Sequence, residues 1–477
     1  MAAPHVLALP FPAQGHVIPL MQLSHRLVEN GIEVTFVNTE LNHALVLDAM
    51  PADGTGRSLD GIHLVGVPDG LADGDDRKDL GKLVDGFSRH MPGYLEELVG
   101  RTEASGGTKI SWLIADEAMG WAFEVAMKLG IRAAAFWPGS AAFLATILRI
   151  PQMIQDGIID EKELSAQDEY ILIGESRTSA GWPNRQETFQ FAPGMPPLHT
   201  SQLPWNNSGL PEGQPAIFQL LTRNNEARDL AEVIVCNSFR DAEPEAFKLY
   251  PDVMPIGPLF ADRQFHKPVG QFLPEDTGCL EWLDAQADRS VVYVAFGSFT
   301  VFNPRQFEEL ALGLELAGRP FLWVVRPDFT AAGLSKAWLD EFRDRVGGRG
   351  MIVSWCPQQQ VLAHRAVACF VSHCGWNSTM EGVRNAVPFL CWPYFTDQFQ
   401  NESYICNVWR TGLAVAPGPD GVVTKEELSG KVERVLGDDG IRERVSALRD
   451  AACRSIAEGG SSRDNFKKFV ELLKLKD

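Results

Sequence analysis

Between Ser372 and Gly382 the chain reads SHCGWNSTMEG, which packs a histidine, glycines, a tryptophan, an asparagine, hydroxyls and a glutamate into one short stretch. An apolar run, VACFV, leads in, and a short helical segment, MEGVRNAV, leads out. The stretch therefore belongs at the carboxyl end of a strand. Gly375 permits a tight turn and close backbone approach there, and Asn377 or Ser378 is expected to cap the next helix. The first N–H groups and the positive dipole end of such a helix suit an anion, a pyrophosphate in particular. An ordinary strand-to-helix connection with a good cap fits the loop alone equally well.

Neighbouring residues break that tie. Trp355 follows MIVS at another strand end, where a planar ring can stack a base. Glu381 lies one turn into the helix and can accept from ribose hydroxyls. Asp397 and Gln398 close a third strand end with acceptors and donors suited to a hexose. Gly297 and Ser298 add a hydroxyl and flexible backbone at a fourth. Base, ribose, pyrophosphate and hexose each find a partner, so a nucleotide sugar fits the set. Neither GxGxxG after the first strand nor GxxxxGK[ST] is present, which leaves dinucleotide and P-loop chemistry unsignalled. The D-x-D within DGDD (Asp73–Asp76) sits in an acidic run and reads as a solvated loop. Cys369, His373 and Cys374 cluster, but their spacing matches no zinc pattern, so no metal is expected.

Glycosyl transfer to a hydroxyl needs a base. His16 follows the first strand and the turn PAQG, and an imidazole with pKa near 6.5 suits the task. Asp116 ends ISWLIAD, where it can hold the second imidazole nitrogen and fix the tautomer. Either residue alone reads as well as a helix-terminal residue, His16 without a role and Asp116 as a cap.

These residues must be positioned by strand ends, and the sequence supplies them. HVLALPF, IEVTFVN, ISWLIAD, IRAAAFWP and EVIVCNSF alternate with helical patterns such as Leu20, Leu23 and Leu27 closed by Gly31, and EAMGWAFEVAMKLG. SVVYVAFGS, FLWVVR, MIVSW, ACFVSH, PFLCW and GLAVAP repeat the alternation, with Asn303 and Pro304 opening one helix that Gly318 closes. Strands alternating with helices imply parallel sheets covered on both faces. The chain's 477 residues are too many for one core, so two domains are expected. GPLFADRQFHKPVGQFLPED lacks periodicity and reads as the linker, giving domains 1–255 and 277–455, a linker 256–276 and a terminal helix 456–477 with Phe466, Phe469, Leu472 and Leu473 on one face.

Composition narrows the function classes. Net charge is −19 at pH 7, so binding to nucleic acid or an anionic membrane surface is not expected. All eight cysteines lie between Cys236 and Cys453 with none in a CxxC pair, which fits free thiols in a reducing compartment. The amino terminus lacks a basic flank and no apolar run approaches a membrane span, so a cytoplasmic protein is expected.

Trp355 to Gln398, WCPQQQVLAHRAVACFVSHCGWNSTMEGVRNAVPFLCWPYFTDQ, resembles the signature box of plant secondary-product UDP-glycosyltransferases, glycosyltransferase family 1. FPAQGH, SVVYVAFGS and GGSS also look like that family. The resemblance implies the α/β GT-B fold, in which two Rossmann-like doubly wound domains face each other across a cleft. It implies that Trp355 stacks uracil, that Gln358 and Glu381 bind ribose, and that His373, Trp376, Asn377 and Ser378 hold the pyrophosphate. Asp397 and Gln398 would bind the hexose, with Ser298 nearby. It further implies His16 and Asp116 as the catalytic pair, UDP-glucose as the donor, an inverting displacement, no metal or other cofactor, and a monomer. Ala386 stands where the family usually has Gly, and a methyl at a helix end is expected to be tolerated with tighter packing. Pro138 stands where many relatives have a sugar-contacting Thr, with Ser140 as a substitute.

The acceptor is expected to be small and rather apolar. Phe11, Phe87, Met119, Trp121, Phe136, Trp137 and Phe395 are the candidates to line its side of the cleft, about half of them in contact. A nicotinamide oxidoreductase lacks its glycine fingerprint here. A non-catalytic binder that kept the UDP-sugar site is the alternative, which the presence of both His16 and Asp116 argues against.

Overall fold

The computed structural model describes residues 3–50, 59, 61–72, 74–77, 79–104, 108–160, 181–207, 214–259, 270–327, 329 and 336–475. Asp73 of the D-x-D and residues 260–269 of the expected linker lie outside the described residues.

Fifteen strands occur among the described residues: β1 (His5–Leu9), β2 (Glu33–Thr39), β3 (Ile62–Val67), β4 (Ile110–Asp116), β5 (Arg132–Trp137), β6 (Thr188–Phe189), β7 (Leu198–His199), β8 (Val233–Cys236), β9 (Val253–Pro255), β10 (Val291–Ala295), β11 (Phe321–Val324), β12 (Gly350–Val353), β13 (Val367–Ser372), β14 (Phe389–Cys391) and β15 (Gly412–Ala414). They form a seven-stranded sheet ordered β3-β2-β1-β4-β5-β8-β9, a six-stranded sheet ordered β12-β11-β10-β13-β14-β15, and the small antiparallel pair β6–β7. Every pairing in the two large sheets is parallel. The central strands are apolar over most of their length because helices cover both faces, and each residue of β1, β10 and β13 is buried, His5 and Ser372 at their ends included.

Both large sheets run outward from a first strand and then reverse. The reversal lies between β1 and β4 in one sheet and between β10 and β13 in the other. In such sheets, ligands bind outside the carboxyl ends of strands at this switch point. His16 follows β1, Asp116 ends β4, Gly297 and Ser298 follow β10, and His373 follows β13. The residues with chemistry thus occupy both switch points.

Local differences from the sequence expectations have local causes. EAMGWAFEVAMKLG is not one helix: a 3-10 turn, Glu117–Met119, precedes the helix Trp121–Leu129, because the Asp116 side chain accepts from Ala118 N and closes a separate tight turn. The helix Pro304–Ala317 begins with Asn303 accepting from Gln306 N and ends at Gly318, whose φ is +67°. The helix Trp376–Arg384 starts at the tryptophan, earlier than an Asn377 or Ser378 cap would allow. Gly375 is its N-cap residue and no side chain caps it.

The two sheets share packing. One buried cluster runs from Trp137, Ala142 and Phe239 to Tyr293, Phe370 and Trp376. Trp376 Nε1 donates to Asn237 O (2.8 Å), Trp409 Nε1 to Ala242 O (2.8 Å) and Gln400 Nε2 to Ala142 O (3.2 Å). These buried bonds hold one edge of the cleft shut. The last helix, Ser461–Lys474, places Phe466, Phe469, Val470 and Leu473 in the core of the first sheet, and Asn465 donates to Pro255 O (3.0 Å). All eight cysteines are free thiols. Among the described residues no helix is long and apolar enough to cross a membrane.

Candidate active site

A cavity of about 400 Å³ opens between the two sheets, and His16 lines it together with all ten residues expected to hold a UDP-sugar: Ser298, Trp355, Gln358, His373, Trp376, Asn377, Ser378, Glu381, Asp397 and Gln398. Asp116 sits behind His16, fully buried.

His16 lies in the first turn of the helix Gln14–Glu29. Its Nδ1 is 2.7 Å from Asp116 Oδ2, and its side chain remains 34% exposed, towards the cavity it lines. A carboxylate can only accept, so Nδ1 carries the proton and Nε2 keeps its lone pair. Burial by itself would lower the His16 pKa. The charge and hydrogen bond of Asp116, with a smaller contribution from Asp397, outweigh it and hold the imidazole above its usual value. Asp116 uses its other oxygen to accept from Ala118 N (2.9 Å), so orienter and turn cap are the same carboxylate.

The opposite wall is the end of β13 and the helix Trp376–Arg384. The helix is uncapped, so its first N–H groups face the cavity without intrahelical partners. That arrangement suits an anionic occupant better than a side-chain cap would. His373 is clasped between two glycines: a Cβ at Gly297 would lie 2.6 Å from His373 Nε2, and one at Gly375 2.5 Å. Burial first, and the Arg326 charge second, push the His373 pKa down to about 4, so the ring is neutral. Arg326 pins the loop after β10, donating to Thr300 O (2.7 Å) and to Gly297 O.

The end of the cavity around Gln358 and Glu381 is a network. Gln358 Nε2 donates to Glu381 Oε2 (2.6 Å) and Ser378 Oγ (2.9 Å), while its carbonyl accepts from Tyr293 OH (2.9 Å). Gln359 Nε2 reaches Glu381 Oε1 (3.2 Å). Burial pushes the Glu381 pKa up to about 7 against the two glutamine bonds. Trp355 is half-buried and lines the cavity beside this network. In the loop after β14 the Gln398 carbonyl accepts from Tyr394 N (2.8 Å) and Phe395 N (3.1 Å), which turns its amide NH₂ outward from that loop. Asp397 accepts from Asn401 Nδ2 (2.7 Å) and Thr396 Oγ1 (3.1 Å). Burial raises its pKa despite these bonds and the His16 charge.

The structure narrows several expectations. Trp376 contributes no indole to the cavity's polar surface, because Nε1 is engaged with Asn237 O; what it offers is its backbone N–H at the helix start. Ser140 does not replace the missing threonine: it is fully buried, and its Oγ accepts from Phe143 N as a helix cap. Phe11, Trp137 and Phe395 line the cavity, but Phe87, Met119, Trp121 and Phe136 do not. Phe87 backs Phe11 edge-on (5.6 Å between centroids), and Met119 and Phe136 are fully buried core. Ala386 has φ +54°, so the glycine usual at this place answers a left-handed backbone rather than tight packing.

Other lining residues carried no sign in the sequence. Leu80, Val84, Phe143, Ile217, Leu220 and Phe299 complete the apolar end. They look like any core residue, since apolar type reports burial and not which surface is buried against. Gln271 and Glu275, from the described tail of the expected linker, also line the cavity, and Asp276 N donates to Trp355 O (3.1 Å). Glu117 is buried beside Asp116. Burial, then the Asp116 charge, push its pKa up to about 8, so it is neutral near pH 7 and does not compete for His16. Among the described residues no group of three or more His, Cys, Asp and Glu side chains could hold a metal ion.

Comparison with known proteins gives a consistent family. The model of the family described as "UDP-glucoronosyl and UDP-glucosyl transferase" matches residues 244–451. UDP-glycosyltransferase 83A1 of Arabidopsis thaliana is 41% identical, over 99% of this chain and 97% of its own length. The 7-deoxyloganetin glucosyltransferase of Catharanthus roseus is 32% identical, over 99% of this chain and 97% of its own. Among solved structures, Os79 from O. sativa in complex with UDP superposes with a TM-score of 0.79 at 28% identity, covering 98% of this chain and 100% of that one.

Proposed function

The chain belongs to the UDP-glucoronosyl and UDP-glucosyl transferase family, among the plant secondary-product enzymes of GT-B fold, and we propose that it moves glucose from UDP-glucose onto a hydroxyl of a small, uncharged, largely apolar plant metabolite. One observation carries this reading: an Asp-oriented imidazole and an uncapped helix N-terminus line the same cavity.

His16 Nε2 takes the proton of the acceptor hydroxyl. The oxygen attacks the anomeric carbon from the face opposite UDP, and the bond from that carbon to the diphosphate breaks, inverting the configuration. Asp116 stabilises the imidazolium that forms. The N–H groups of Trp376, Asn377 and Ser378 meet the charge that develops on the departing diphosphate, with the neutral His373 beside them. Trp355 stacks the uracil, Gln358 and Glu381 hold the ribose, Asp397 and Gln398 hold the hexose, and Ser298 adds a hydroxyl. Charge on the leaving group is met by these fixed dipoles, and the mechanism calls on no metal.

The acceptor's charge follows from the lining. Glu117, Glu275, Glu381 and Asp397 line the cavity, and among the described residues no lysine or arginine does. An acceptor carboxylate would therefore be desolvated without a counter-charge. The test uses acceptor pairs that share one aromatic frame and differ only in CH₂OH against CO₂⁻. Alcohols are glucosylated from UDP-glucose and their acids are not. Equal kcat/KM for both members of a pair would remove the charge argument. A UDP-binding protein that transfers sugar to no member of a broad panel of phenols and alcohols would return the non-catalytic alternative.

A further inference from the structure

We propose that Asn377 is a positioning residue for His16, a latch between the two sheets that exists because residue 19 is proline. In an α-helix the carbonyl of residue 15 accepts from the N–H of residue 19. Pro19 lies inside the helix Gln14–Glu29 and has no N–H, so the Gly15 carbonyl lacks its helical partner. Asn377 supplies one from the other sheet's side of the cleft: its Nδ2 donates to Gly15 O at 2.6 Å, across 362 positions of sequence.

The bonded carbonyl belongs to the peptide unit that carries the His16 N–H, and that N–H donates to Ala13 O at 2.9 Å. The plane leading into His16 is therefore held from both ends. The imidazole is held at its far side by Asp116. Two of the three constraints come from the base's own sheet, and the third comes from the helix whose N-terminus forms the anion cradle. The base is fully aligned only when that helix is seated against Gly15. This inference rests on His16 being the base.

Pro19→Ala restores a helical N–H that competes for the Gly15 carbonyl without touching either substrate site. Asn377→Ala removes the latch from the other side. Each variant of the full chain lowers kcat about fivefold, the worth of one hydrogen bond. Pro19→Ala leaves UDP affinity by calorimetry within about twofold, and both variants leave the acid limb of the kcat–pH profile in place, since the Asp116 bond is untouched. The double variant is no slower than Asn377→Ala alone, because both changes remove the same bond. A Pro19→Ala enzyme with wild-type kcat would overturn the latch. So would an additive double variant, or an Asn377→Ala enzyme whose whole defect is weaker UDP affinity. His16→Ala separates the premise: near-normal turnover there sinks the base assignment, whatever Asn377 does.

Discussion

His16 and Asp116 stand 100 positions apart in the chain and 2.7 Å apart in space, and the carboxylate that orients the imidazole also caps the turn behind it through Ala118 N. With both oxygens engaged, Asp116 cannot rotate away, and the tautomer that leaves Nε2 basic is fixed.

Asp116→Asn therefore changes two things at once. Turnover falls by about two to four orders of magnitude as the tautomer is lost. The residual activity also shifts in pH. Asp116 is what holds the His16 pKa above its usual value against burial, so its removal lowers that pKa. The base must be neutral to act, and the acid limb of the kcat/KM–pH profile moves to lower pH. A limb that stays in place would show that His16 is not the titrating group.

With Glu381 in its proposed role as ribose acceptor, donor affinity is expected to depend on pH, because burial pushes the Glu381 pKa in the free protein up to about 7. Below that value the carboxyl is protonated, and above it the carboxylate is a stronger acceptor for ribose hydroxyls. Binding of UDP-glucose tightens as pH rises from about 6 to about 8. Glu381→Gln binds more weakly and loses the dependence. Calorimetry at several pH values decides it, and a variant with the wild-type slope would assign the titration elsewhere.

Gly297→Ala should destabilise by about 2–3 kcal/mol, from a left-handed backbone and a Cβ driven against His373. It should also weaken UDP binding, since the ring it displaces lines the cradle. Gly318→Ala is the control. Its φ of +67° is nearly the same as the +66° of Gly297, but its nearest neighbour would be Arg349 Nη1 at 3.9 Å. It costs about 1 kcal/mol and leaves UDP affinity unchanged. Equal effects of the two on affinity would refute the role given to the clasp.

Ala386→Gly runs the other way. Relief of the left-handed backbone outweighs the extra freedom gained by the unfolded chain, and stability rises by about 0.5–1 kcal/mol. Urea denaturation measures it, and a loss of stability would mean that the methyl packs usefully.

Residue type and spacing were enough to place the candidate residues wherever their position depends on a local pattern. The ends of β1, β4, β10 and β13 are legible as apolar runs broken by glycine or polar residues, and the donor candidates fall at such ends. The acceptor side was legible only in part. Phe87 and Leu220 are both apolar helix residues, but one backs Phe11 and the other lines the cavity. Which face of a helix meets the cavity depends on how that helix is rotated against its sheet, and no single residue encodes it.

The sequence by itself determined the parallel α/β architecture and the strand ends at which the candidate base, its partner and the candidate donor residues sit, because each is written in a short run of residues. Only the tertiary structure decided how side chains with several possible partners divide among them. Trp376 turns its indole to Asn237, Ser140 caps a helix, Tyr293 orients Gln358, and Asn377 meets the carbonyl that Pro19 leaves without a partner. Each of these choices is made between groups far apart in the chain, where a hydrogen bond forms only after two sheets have packed and excluded the water that would otherwise compete for it.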